Sequence, residues 1–133
     1  MVRGGDTFFR RSSPDKHLWV VVSYPELCPR DPVLSVSLVS CRDYTEQTCI
    51  LTPGDHPFVK HEAAVYYRVI RRDPKGRLDS LCRSGELDMQ APMPPDVLAR
   101  IRGGMLQSPM VSQELHDLLV CQGLQDDQFG GNP

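Results

Sequence analysis

Two histidines and a lysine fall within six residues of one another in Gly54-Asp55-His56-Pro57-Phe58-Val59-Lys60-His61, beside an aspartate, and Arg68 follows closely. These residue types suit the binding and cleavage of a phosphodiester. Cleaving RNA without a metal needs a base for the 2′-hydroxyl, an acid for the leaving oxygen and cations for the dianionic phosphorane. Imidazole titrates near pH 6.5 and can take either proton-transfer role at neutral pH. If the loop folds over the end of the second strand, His17 faces His56 or His61. Lys60 or Arg68 then meets the phosphate, Ser40 donates a hydrogen bond, and Asp55 orients a histidine tautomer. Tyr66 is the candidate for stacking on a base, because strand alternation sends one of Tyr66 and Tyr67 outward and the other into the core.

The same residues admit plainer readings. Gly54-Asp55 is a common turn pair, and the His56-Pro57 imidazole can serve only to bond backbone. His61 beside Glu62 can be a surface ion pair, and His17 a satisfied edge residue. Trp19, inside an apolar run, reads as core. A five-residue His–His spacing across a proline-containing loop matches no recognised metal-ligand pattern, so neither a metal nor a cofactor is expected. Cys41 and Cys49 lie in strand-like surroundings, where buried and inert thiols are the norm.

The elements that must position these groups divide near Asp73-Pro74-Lys75-Gly76. Before that point, short runs rich in Val, Tyr and Phe predict strands at about 6–10, 18–24, 33–40, 49–51 and 65–70. Leu18-Trp19-Val20-Val21-Val22 is continuously apolar and reads as a central strand buried on both faces. After it, a polar segment leads to two helical patterns. The first opens at Pro94-Pro95-Asp96 and stops at Gly103-Gly104. The second starts near Ser108-Pro109, carries the stripe Val111, Leu115, Leu118 and Leu119, and ends at Gly123. The expected fold is α+β, a small sheet or barrel with appended C-terminal helices over residues 1–124, followed by a mobile tail over 125–133.

A chain of 133 residues suits one domain with a real core, and 40% hydrophobic with 24% charged residues is ordinary globular composition. No apolar run approaches the roughly 20 residues of a membrane span, and the charged amino terminus does not read as a secretory signal. Five cysteines without a C-x-x-C pair suggest reduced thiols and a cytoplasmic setting. Net charge is −2, yet residues 1–72 hold 10 Lys and Arg against 8 Asp and Glu, whereas residues 73–133 hold 5 against 9. A polyanion would meet the amino-terminal half.

Gly5-Asp6-Thr7, Trp19 to Ser23, Val33 to Ser40 and Gly54 to His61 together resemble the MazF/PemK-like toxin superfamily, over roughly residues 4–72. The resemblance implies an SH3-like barrel, metal-independent endoribonuclease activity on single-stranded RNA, a homodimer, and an antitoxin protein that occupies the RNA groove. It also carries Ser40 across as a site residue. The arginine that the family places before its second strand is replaced here by Lys16-His17-Leu18-Trp19. Two readings therefore stand: an endoribonuclease of a toxin-antitoxin or mobile-element module, or a non-catalytic barrel module binding a protein or nucleic acid.

Overall fold

The computed structural model describes residues 1–129, with side chains through residue 123. In chain order the elements are β1 (Thr7–Arg10), β2 (Trp19–Val21), β3 (Val33–Ser40), β4 (Ile50–Leu51), β5 (Ala63–Asp73), α1 (Lys75–Ser84), β6 (Leu87–Gln90), α2 (Pro95–Gln107) and α3 (Gln113–Phe129). The six strands form one antiparallel sheet in the order β4-β5-β3-β2-β1-β6. The α+β class and the five expected strands are present. The apolar run around β2 lies inside the sheet, with Val20, Val21 and Val22 fully buried.

The sheet is curled. At about 4.8 Å per strand, the edges of a flat six-stranded sheet would stand roughly 24 Å apart. Here the loop leaving edge strand β4 hydrogen-bonds to Ala91, the residue just beyond the opposite edge strand β6. The result is a half-barrel whose inner face holds Leu18, Val20, Leu34, Val36, Leu38, Val65 and Tyr67 against α2 and α3. Alternation turns Val21 and Val33 to the outer face, where α1 covers them with Leu78, Leu81 and Cys82. That helix covers one part of the outer face, and the open remainder becomes the groove described below.

Three departures from the sequence pattern have physical causes. First, α2 does not stop at Gly103-Gly104 but continues to Gln107. A Cβ on Gly104 would overlap the Tyr67 hydroxyl and lie 3.1 Å from the Cys49 Cβ, so the glycine permits close approach of helix to sheet rather than ending the helix. Second, α1 and β6 occupy the segment read as merely polar, and β6 pairs with β1 across the sequence division. Third, α3 starts at Gln113, passes Gly123 and runs to Phe129, into the segment expected as a tail; residues 130–133 lie outside the described residues. The α3 stripe packs within the chain, since Leu115 and Leu119 are buried in the core and Val111 and Leu118 pack against it.

No helix among the described residues is long and apolar enough to cross a membrane. The five cysteines are free thiols.

Candidate functional site

The loop between β4 and β5 is built by its own turn chemistry. Gly54 takes φ +104°, which a residue with a Cβ rarely adopts, and this lets the chain reverse directly after β4. The Asp55 carboxylate accepts from the Thr52 backbone N–H at 2.9 Å and pairs with Arg100 of α2 at 3.3 Å. These donors, the Thr52 N–H foremost, hold its pKa below the ordinary carboxylate value. Asp55 therefore caps the turn and ties it to α2; it does not orient a histidine.

His56 also leaves the predicted site. It is 3% exposed, and both ring nitrogens are engaged. Nε2–H donates to the Ala91 carbonyl at 2.6 Å, while Nδ1 accepts the Phe58 backbone N–H at 3.1 Å, which fixes the Nε2–H tautomer. The Thr7 hydroxyl donates to the same carbonyl at 2.6 Å. Phe58 then meets Phe9 of β1 edge-on, with ring centroids 5.2 Å apart. His56 clasps the two edges of the half-barrel together, and the backbone-bonding reading of His56-Pro57 is the one the structure bears out.

The other predicted residues converge. A pocket of about 370 Å³ is lined by Lys16, His17, Ser40, Lys60 and His61, with Leu38, Val59 and Ala63 among the residues of its apolar wall. It adjoins a second, of about 880 Å³, lined by His17, Ser40, Trp19, Ser37, Val39, Arg42, Tyr44, Tyr66 and Arg68 among others. His17, Val39 and Ser40 line both, so the two form one groove that runs from the outer face of β2, β3 and β5 round the end of β3 to the core residues Leu38, Val59 and Ala63. The Ser40 Oγ lies 3.3 Å from His61 Nε2, in hydrogen-bonding range.

Each contributor is placed by its element. Ser40 ends β3, and His17 stands just before β2, which pairs with β3. Tyr66 faces outward opposite Ser37, while Tyr67 is buried with its hydroxyl donating to the Ile101 carbonyl at 2.6 Å. Between Ser35 and Ser37 the β3–β5 register breaks: Ser37 pairs Tyr66, but Ser35 pairs Arg71. Arg68 lies in that bulge, exposed and in the groove wall.

The groove is cationic. Among the described residues, Lys16, Arg42, Lys60 and Arg68 take part in no ion pair, so their charge is available to a ligand. By contrast, Arg10 and Arg71 are committed to buried Asp73. They also flank Trp19, with their guanidinium carbons 5.7 and 5.8 Å from its ring centroid. Trp19 is thus part of a packed outer-face cluster at the groove's margin. Burial pushes up both the Cys49 thiol and the Tyr67 hydroxyl, consistent with structural roles beside α2.

Sequence reasoning missed Lys16, Arg42 and Tyr44. Lys16 precedes a candidate histidine and was legible as a cation. Arg42 and Tyr44 sit in the β3–β4 connection, whose place in the groove lining no periodicity announces. Chemically, the groove offers a polyanion two imidazoles, several hydroxyls, four cations and exposed aromatic surface, with Glu46 as the acidic residue of its lining. No protein-family model matches this chain, and no curated protein matches it significantly.

Proposed function

We propose that this protein is a toxin-like endoribonuclease of the MazF/PemK kind, built on an SH3-like barrel, that cleaves single-stranded RNA in this groove. The observation that carries the reading is the gathering of His17, Ser40 and His61 around one cationic groove, with Ser40 Oγ 3.3 Å from His61 Nε2. One imidazole removes the 2′-hydroxyl proton as the 2′-oxygen attacks phosphorus. The P–O5′ bond breaks, and the second imidazole, protonated beforehand, delivers its proton to the leaving 5′-oxygen. The products are a 2′,3′-cyclic phosphate and a 5′-hydroxyl. Lys60 and Lys16 stabilise the phosphorane charge, and Ser40 positions His61. Arg68 and Tyr66 hold the strand beyond the scissile bond. In a toxin-antitoxin setting the neutralising partner is a protein that covers this groove.

The alternative is a non-catalytic module using the same groove, favoured by Lys16-His17 standing where the resemblance leads one to expect an arginine. Incubating labelled single-stranded RNA with the protein in EDTA distinguishes the two. Cleavage to a cyclic phosphate by wild type, lost in His17→Ala and His61→Ala, is the expected result. Binding without turnover across several RNAs assigns the groove to the module instead.

A further inference from the structure

The β3–β4 connection carries a feature that the acid/base chemistry does not use. Tyr44 is 89% exposed and lines the larger part of the groove together with the half-buried Tyr66. An aromatic side chain held in water forgoes a large burial gain, so its position is informative when the backbone beneath it is fixed. That backbone is fixed. The Thr45 N–H donates to the Arg42 carbonyl at 3.0 Å, and the Thr45 hydroxyl accepts the Arg42 N–H at 3.1 Å, closing a turn with Tyr44 at its tip. One residue past the turn, the Glu46 carboxylate accepts from the hydroxyls of Thr48 and Ser108, anchoring the connection to the end of α2. Among the described residues, the Tyr44 ring takes part in no aromatic or cation–π contact.

We propose that Tyr44 is the platform on which an unpaired base of the bound strand stacks. The proposal rests on the groove being a nucleic-acid site, as argued above. Arg42 and Arg68 line the same pocket and provide charge for the phosphates on either side of the stacked base. A tied turn presents the ring with little ordering cost on binding. Duplex bases are excluded because their faces are already stacked.

The test uses the full chain and a short fluorescein-labelled 2′-fluoro RNA strand, which lacks the 2′-hydroxyl and cannot be cleaved by the proposed route. Tyr44→Ala is expected to weaken binding by roughly tenfold, Tyr44→Phe to retain it, and Tyr44→Leu, with apolar bulk but no π-face, to follow alanine. A 2-aminopurine placed in the strand should be quenched by wild type and not by Tyr44→Ala. Unchanged affinity in Tyr44→Ala, wild-type affinity in Tyr44→Leu, or tighter binding of the matching duplex would each overturn the platform while leaving the groove as a nucleic-acid site. No binding of any strand by wild type would overturn the groove reading, and the platform with it. Circular dichroism of each variant verifies folding, which so exposed a side chain does not support.

Discussion

His56 and His61 stand five residues apart in one loop and meet opposite surroundings. His56 is buried, with both nitrogens committed to backbone groups on two sides of the half-barrel. His61 is exposed, and among the described residues its Nε2 meets only the Ser40 hydroxyl at the groove. An imidazole whose lone pair and N–H are both occupied by backbone cannot exchange a proton with a substrate, whereas one at the rim of a groove can. The difference teaches that residue type nominates a catalytic group, and that free hydrogen-bonding capacity decides whether it can act.

The sharpest way to break this comparison is to delete each imidazole in turn. His61→Ala should lower RNA cleavage by about 100- to 10,000-fold, the range for removing a general acid or base, with its urea midpoint unchanged. Equal cleavage by this variant and wild type would remove His61 from the chemistry. His56→Ala should instead destabilise the fold by about 1–2 kcal/mol in urea denaturation, because the buried imidazole is lost, the Phe58 N–H loses its part-buried acceptor and the Ala91 carbonyl keeps only the Thr7 hydroxyl. A small stability change there would undo the clasp.

Two adjacent glycines extend the contrast between packed scaffold and open surface. Gly104→Ala should cost about 2 kcal/mol through overlap with the Tyr67 hydroxyl, which is held by Ile101. Gly103→Ala, whose Cβ would meet nothing within 4 Å, should stabilise α2 by roughly 0.5–1 kcal/mol. Thermal melts of the two variants, moving in opposite directions, check both.

A pH-dependent effect concerns Asp55, whose carboxylate ties the loop carrying both histidines to α2. Its folded pKa is depressed, so its contribution is present above the unfolded carboxylate pKa and is lost as pH falls through the folded value. Asp55→Asn should cost about 1 kcal/mol at neutral pH and flatten the loss of stability below about pH 4. Denaturation midpoints measured across that range provide the test.

Much of the sheet was legible because its signal is local. β-Branched content located β3, and the continuous apolar run located β2 as an interior strand. The 75–90 segment was harder. Leu78, Leu81 and Cys82 have helical spacing, and Gly85, at φ +85°, caps α1, but the intervening charges dilute the pattern. β6 is short, and the partner that makes it a strand is some 80 residues away in sequence. Glycine was misread for a related reason: Gly103-Gly104 has the composition of a helix stop, and only the Tyr67 hydroxyl pressed against Gly104 reveals a packing role.

By itself, the sequence determined which residue types were available, where the strands of the first half run, and that Tyr66 and Tyr67 must face opposite sides. Those properties follow from side-chain chemistry and backbone period, which act between near neighbours. Only the tertiary structure decided that His17, Ser40 and His61 share one groove, that His56 closes the half-barrel, and that Tyr44 lines the larger part of the groove. Those relations depend on curl, register and burial, and each is set by contacts between residues far apart in the chain.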